Sequence, residues 1–353
     1  MSSASSSSAA ALTVLRPGLL ASVQDLGRQG HRQLGVCPGG ALDGLALTLA
    51  NRLVGNAAGA AGLELTLGAC ALRFEQDTRM ALAGDDFDAQ LDGLPVRPLW
   101  SLPVRAGQTL VLGGANRARA KPGVRSWLAV AGGIDVPLLL GSRSTDLKAG
   151  FGGLQGRALR KGDRLGLGPS ALSAAQRAQA AFGLREPQGW DGGAKVPQQA
   201  AVDAPTVLRV LPGPEAHQFD AAAKAQFHAA HWRITPQSNR MGSRLEGPAL
   251  RRVEEADMLS SAVIPGTVQV PPSGQPIILM GDAQTTGGYP RIAVVIRADL
   301  WKLAQAPLGG RLQMQAVDAA QALTAWQAQQ RHLAQIEAAL AMRGWPVPSQ
   351  HAA

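Results

Sequence analysis

Pro276-Ile-Ile-Leu-Met-Gly-Asp-Ala-Gln-Thr-Thr-Gly-Gly-Tyr-Pro-Arg-Ile-Ala-Val-Val-Ile296 sets two apolar runs around a loop of small and polar residues. Ile277–Met280 and Ala293–Ile296 are of strand length and rich in β-branched side chains, so each reads as a buried strand. The loop between them, Gly281 to Arg291, is polar and pinned at both ends, as a preorganised site requires. Asp282 follows directly on the first strand and is a candidate general base or orienting group, with Gln284, Thr285 and Thr286 as ligands for an amide. Tyr289 is the only tyrosine in the chain. A capped structural turn is the competing reading of the same residues.

The pattern of short apolar runs and turn signals extends in both directions. Pro-Gly pairs at Pro17, Pro38, Pro122, Pro212 and Pro265 suit tight turns, because Pro presets φ at one turn position and Gly accepts φ > 0 at the next. Further strands are expected at Thr13–Leu15, Leu63–Leu67, Ala69–Phe74, Met80–Ala83, Gln108–Leu112, Ser126–Ala131, Thr206–Leu211 and Gln269–Val270. Helices are few. Asp43 can cap one that runs to Leu53, and Asp299 to Ala306 forms a second short one. Leu323, Trp326, Leu333, Ile336 and Leu340 repeat at helical spacing between Asp318 and Gly344, which predicts a C-terminal amphipathic helix docked on the body or on a partner chain. The fold class is therefore mainly β. From Pro169 to Pro205 a Ser173-capped Ala/Gln/Arg segment gives way to Gly, Pro and Gln, marking a linker or surface insertion between two β-rich halves.

Composition narrows the function. The 353 residues carry 46% hydrophobic, 17% charged and 4% aromatic residues with 42 Gly and 23 Pro, which describes a loop-rich globular protein and excludes coiled coil, collagen and wholesale disorder. No apolar run reaches the ~18 residues needed to cross a bilayer, so no membrane span is expected. The Ser/Ala-rich N-terminus has neither a basic n-region nor a Leu-rich h-region and reads as a disordered tail, which leaves a cytoplasmic setting as the expectation. The net charge of +9 raises nucleic-acid binding, but the cations are dispersed, mostly Arg, and lack an aromatic platform for bases, so no nucleic-acid partner is expected. Cys37 and Cys70 stand in no CxxC or Cys/His spacing, and no structural metal is expected. His228 and His231 lack a third ligand nearby and read as a surface helix.

Two other segments match the loop at 281–291 in polarity. Gly141-Ser-Arg-Ser-Thr-Asp-Leu-Lys-Ala-Gly-Phe-Gly-Gly153 gathers hydroxyls, cations and glycines, so that Arg143, Ser144, Thr145 and Lys148 can converge with backbone amides on a phosphate or carboxylate. It lacks the order of a P-loop, and a Gly-rich structural turn fits it equally. Gln237-Ser-Asn-Arg-Met-Gly-Ser-Arg-Leu-Glu-Gly247 alternates amide, hydroxyl and guanidinium. Here Arg240 or Arg244 can grip a planar carboxylate or carbamate and Asn239 can orient an amide; a solvated hairpin with a Glu246–Arg ion pair is the alternative. Arg143, Lys148, Arg240 and Arg291 form the expected anion-binding set, and Asp282 and Asp43 are the candidates for proton transfer or orientation.

Several longer stretches carry a resemblance. Ser22-Val-Gln-Asp-Leu-Gly-Arg28, Gly39-Gly-Ala-Leu-Asp43, Leu49-Ala-Asn-Arg-Leu-Val-Gly-Asn56, Leu128-Ala-Val-Ala-Gly-Gly-Ile-Asp135, Gly141-Ser-Arg-Ser-Thr145, Gln237-Ser-Asn-Arg-Met-Gly242 and Gly281 to Pro290 together resemble the biotin-dependent carboxyltransferase family. That family includes the C-type component of bacterial 5-oxoprolinase, the KipA-like proteins and the protein once called allophanate hydrolase subunit 2.

The resemblance implies two cyclophilin-like β-barrel domains, over 12–170 and 206–317, with a tail over 1–11, a linker or insertion over 171–205, and a helix and tail over 318–353. It implies a subunit, inactive alone, of an ATP-dependent 5-oxoprolinase that opens 5-oxo-L-proline to L-glutamate with B-type (KipI-like) and A-type partners. The alternatives are the carboxyltransferase component of a urea-type carboxylase, with biotin supplied by another chain, and a KipA-like non-catalytic regulator of a kinase inhibitor. ATP would be held with partner subunits, since the chain has no Walker A loop. Gly39, where a small polar residue such as Ser is frequent, and Gly44, where Pro is common, depart from the family pattern.

Overall fold

Alternating burial along the strands builds the molecule. The structure, a computed structural model, describes residues 11–113, 123–184, 204–254 and 258–349. The expected tail over 1–11 falls outside these residues except for Ala11, which is buried and donates its amide to Leu165 O at 2.9 Å. Most of the expected linker, 185–203, also lies outside them. Its described beginning carries a short helix whose N-cap is Ser173, in a capping box with Gln176.

The chain divides into two units, Met1–Gly27, Gly44–Glu186 and Ala334–Ala353 in the first, Arg28–Asp43 and Pro187–Leu333 in the second. Arg28–Asp43, which linear order places in the first half, thus belongs with the second unit. The C-terminal residues from Ala334 belong with the first.

The first unit contains β1 (Leu12–Pro17), β2 (Leu20–Gln24), α1 (Gly44–Leu53), β3 (Gly62–Thr66), β4 (Cys70–Phe74), β5 (Thr78–Gly84), β6 (Gln90–Leu91), β7 (Leu94–Pro95), β8 (Trp100–Val104), β9 (Thr109–Val111), β10 (Arg125–Val130), β11 (Ile134–Asp135), β12 (Arg164–Leu167), α2 (Ala174–Ala178) and β13 (Phe182–Gly183). One sheet runs β11-β12-β1-β4-β9-β6-β7 and the other β13-β8-β5-β10-β3-β2. Every second residue of the inner strands, including Leu12, Val14, Leu63, Leu72, Phe74, Met80, Leu82, Leu128 and Val130, enters one core. β5 and β10 lose the alternation and are buried on both faces because α1 packs across them.

Arg79, on β5, is fully buried. Its guanidinium donates to the carbonyls of Gln176, Arg177, Gln179, Ala180 and Ser101 and to the Ser101 hydroxyl. The rings of Phe182 and Trp345 lie 5.2 and 5.1 Å from it. One cation thereby closes the C-terminal end of α2 and fixes the chain end against the sheet.

The second unit contains β14 (Thr206–Pro212), α3 (Ala221–Ala229), β15 (Trp232–Ile234), β16 (Gly242–Glu246), β17 (Ser261–Ala262), β18 (Thr267–Gln269), β19 (Ile277–Leu279), β20 (Thr286–Gly287), β21 (Arg291–Val295), α4 (Leu300–Gln305), β22 (Arg311–Ala316) and the start of α5 (Ala319–Met342). The order β14-β21-β18-β19-β16-β15-β22 closes into a barrel through a parallel pairing of β14 with β22. Leu208, Val210, Trp232, Ile234, Leu245, Val268, Ile278, Leu312 and Met314 fill it. Closure leaves the barrel strands no free edge.

The expected helices at 44–53, 300–305 and the C-terminus are present. Asp318 caps α5, accepting from Gln321 N at 2.7 Å while its own amide donates to Gln321 Oε1 at 2.9 Å. The apolar stripe is not buried throughout, for Leu323 is 55% exposed whereas Leu340 is buried.

Candidate functional site

In the first unit, the expected anion cradle is occupied by the protein itself. Asp25, just after β2, is buried, and its Oδ1 accepts from Gly27 N at 2.7 Å, Ser142 Oγ at 2.7 Å and Ser144 Oγ at 2.6 Å. Its Oδ2 accepts from Arg143 N at 2.5 Å. The Thr145 hydroxyl donates to Val23 O at 3.0 Å, and Gln24 Nε2 donates to Thr145 O at 3.2 Å. Gly153 is required here, since a Cβ at its φ of +51° would lie 1.9 Å from Thr145 Oγ1. The Arg143 guanidinium donates to Val136 O and to Asp135 at 3.0 Å. Lys148 is exposed on the turn. Hydroxyls and amides at Arg143, Ser144 and Thr145 that the sequence suggested for a ligand therefore hold an internal carboxylate and the β2 backbone, because Asp25 supplies the negative charge at no cost in binding entropy.

In the second unit, the loops at 237–247 and 281–291 meet. Arg240 and Asp282 are both 5% exposed and form a forked pair, Nε to Oδ2 at 2.8 Å and Nη2 to Oδ1 at 3.0 Å. Arg240 Nη2 also donates to Gly40 O at 2.7 Å, Gly39 N donates to Gly281 O at 3.0 Å, and Asp282 N donates to Arg240 O at 3.1 Å. The Gly39-Gly40 turn, with φ of +61° and +81°, is thus fastened to both loops. An added Cβ at Gly39 would sit 3.7 Å from Arg28 Nη1 and 3.8 Å from Asp282 Oδ1, so a serine has room there but meets a backbone that costs L residues about 1–2 kcal/mol. Both oxygens of the Asp282 carboxylate are thus engaged by one guanidinium, which fixes its orientation in this structure.

The other candidates take different places. Arg291 grips Glu215 with Nε at 2.7 Å and Nη2 at 2.5 Å and donates to Ala262 O at 2.7 Å. This pair holds the Glu215 carboxyl below its usual range, chiefly through those hydrogen bonds, and the Arg291 guanidinium is engaged within the second unit. Asp43 is buried and accepts from Gln305 Nε2 at 3.4 Å. Asn239 is exposed, and its Oδ1 accepts from Met241 N at 2.8 Å in a local turn. Thr285 is buried, with its carbonyl taking Val263 N, while Gln284 and Thr286 are exposed and Thr286 begins β20.

A cavity of 420 Å³ opens on the barrel wall, lined by residues that include Thr235, Gln237, Arg244, Ile277 and Tyr289. Arg244 projects from β16, a strand that the polar composition of 237–247 disguises as loop. Among the described residues no three His, Cys, Asp or Glu side chains are grouped to hold a metal, and no helix is long and apolar enough to cross a membrane. His228 Nδ1 lies 3.1 Å from Met314 O.

Asp25, Gly40 and Glu215 complete these clusters, and residue chemistry alone does not single them out in the sequence. Asp25 lies in the Ser22–Arg28 motif, whose length is the available signal; the Glu215–Arg291 pair is separated by 76 positions and leaves no local trace.

A family model described as carboxyltransferase domain, subdomain A and B, matches residues 34–316. The chain belongs to this carboxyltransferase family. It is 47% identical over 328 residues to the C subunit of 5-oxoprolinase from Escherichia coli strain K12, covering 92% of this chain and 97% of that protein. It is 41% identical over 297 residues to the protein of the same name from Haemophilus influenzae, covering 84% and 88%. The crystal structure of Kluyveromyces lactis urea amidolyase superposes with a TM-score of 0.79 at 29% identity, over 94% of this chain and 20% of that one.

Proposed function

We propose that this chain is the C-type subunit of an ATP-dependent 5-oxoprolinase. The observation that carries the reading is the match at 47% identity across 97% of a protein of that name. With A- and B-type partners it opens the lactam of 5-oxo-L-proline: water adds to the ring carbonyl, the C–N bond breaks, the nitrogen takes up a proton and L-glutamate leaves. ATP hydrolysis drives the step, and the nucleotide is held with the partner subunits. The setting is cytoplasmic and the working form a hetero-oligomer.

This chain contributes a rigid platform. The Arg240–Asp282 pair locks the 237–247 and 281–291 loops and the Gly39-Gly40 turn, leaving the amides of Asn239 and Gln284 and the hydroxyl of Thr286 exposed on that platform. Prepaid order of this kind favours a reacting geometry without further reorganisation.

The test is ATP-dependent glutamate release from 5-oxoproline by the chain assembled with its co-encoded A- and B-type partners. Activity that vanishes when this chain is omitted supports the reading. The likeness to urea amidolyase favours one second reading, carboxyl transfer; it would show instead as turnover requiring bicarbonate and a biotinylated chain. A stable complex with no turnover under either condition would point to a KipA-like regulator.

A further inference from the structure

The cations of the polar loops differ in what they already hold. The buried Arg240 is forked onto Asp282 and donates to Gly40 O, Arg291 is forked onto Glu215 and donates to Ala262 O, and the half-exposed Arg143 directs its Nη1 to Asp135 and Val136 O. Asking a buried, paired guanidinium to bind a ligand anion would strip its partner of compensation. Arg244 is different. Among the described residues no carboxylate lies within ion-pair distance of it, and it borders the 420 Å³ cavity.

Arg244 is also well placed to act. Its backbone pairs with Ile277 across the β16–β19 ladder, and its carbonyl accepts Thr235 N at 2.9 Å, so its Cα is set by the barrel. Tyr289, 45% exposed, and Gln237 line the same cavity, so that a phenol and an amide are available beside the guanidinium. Ile277, Pro271 and Pro276 supply apolar wall. Glu246 also lines the cavity, but Arg233 engages its carboxylate at 2.6 Å. The volume lies at the lower end of the ~300–1,000 Å³ typical of small-molecule sites.

We infer that this cavity binds a small cyclic carboxylic acid, with Arg244 gripping the carboxylate in a fork, Tyr289 covering the ring and Gln237 facing its polar edge. The identification of that acid as the lactam substrate rests on the 5-oxoprolinase reading; the carboxylate site itself rests on the cavity.

Two measurements test it. In the assembled complex, R244A should raise KM for 5-oxoproline about tenfold or more, the loss expected for a charge-assisted fork, with R244K recovering only part of it. In the isolated full-length chain, ligand-observed NMR should show 5-oxoproline binding that weakens about tenfold or more in R244A, while 2-pyrrolidinone, which lacks the carboxylate, should not distinguish the two proteins. Unchanged KM in an active R244A complex, or binding to the chain that is absent or indifferent to R244A, overturns the site. A wild-type complex that releases no glutamate although the chain binds 5-oxoproline through Arg244 overturns the enzymatic reading and leaves the site standing.

Discussion

The Ser144 hydroxyl donates to Asp25 Oδ1 at 2.6 Å and accepts the Asp25 amide at 2.9 Å, so the two residues close a reciprocal pair across 119 positions of sequence. Ser142 and the Arg143 amide complete the shell around the carboxylate. A Gly/Ser/Arg segment that has the chemistry of an anion site thus serves as an internal staple, tying the end of β2 to the 141–153 turn. Charge-assisted bonds of this kind are short and strong when solvent is excluded.

Removing Asp25 exposes that role. Asp25→Ala leaves the donors of Gly27, Ser142, Arg143 and Ser144 without their acceptor, and orphaned buried donors cost about 1–3 kcal/mol each, so a loss of about 3 kcal/mol or more is expected. The cavity left is anion-shaped, and formate should raise the Tm of the variant more than that of wild type at matched ionic strength. A variant that unfolds like wild type would show the shell to be dispensable.

The Arg240–Asp282 pair gives a different signature. Asp282→Asn strands a buried guanidinium with Gly40 O as its remaining acceptor in this set, and breaking one side of a buried pair costs about 3–5 kcal/mol. The double variant R240M/D282L removes both charges and should recover much of the loss. Urea midpoints of the three proteins check this, and a single variant no worse than the double would contradict it.

How much of this was legible depends on range. Strands with continuous apolar runs, such as β5 and β10, and helices with a local cap, such as α2 behind Ser173 and α5 behind Asp318, carry their signals within a few residues. β16 does not, because Gly242 and Ser243 offer no apolar side chain and Leu245 stands alone between the outward Arg244 and Glu246. β22 does alternate, with Leu312 and Met314 buried, yet its polar residues outnumber them. The polar loops could be recognised as special, but what their donors hold is set by residues from other segments: Asp25 takes the hydroxyls and amide of 142–144, Glu215 takes Arg291 and Asp282 takes Arg240.

Arg79 shows the same dependence on tertiary context. Burial pulls its guanidinium down to about 10, which leaves it charged at neutral pH while its acceptors are carbonyls and a hydroxyl. Arg79→Lys keeps the charge but supplies three donors from a point in place of a planar fork. Loss of about 2–4 kcal/mol is expected for it, with Arg79→Met at least as damaging. Because Trp345 packs on this cation, both variants should also speed proteolysis of the C-terminal segment; rescue by lysine would refute the fork.

The Glu215–Arg291 pair makes stability depend on pH in a defined direction. Hydrogen bonds and charge from Arg291, with a smaller contribution from His217, hold the Glu215 carboxyl below its usual range, so the folded state binds its proton more weakly than the unfolded chain, where the value is about 4.3. The stabilisation is therefore fully present above the unfolded value and is lost as pH falls through the folded one. Glu215→Gln should lower the urea midpoint at pH 7 and pH 6, and the gap to wild type should close progressively below pH ~4. A gap of constant size from pH 7 to pH 3 would mean that the carboxylate's charge contributes nothing and that only its shape matters where the segment after β14 meets the start of β21.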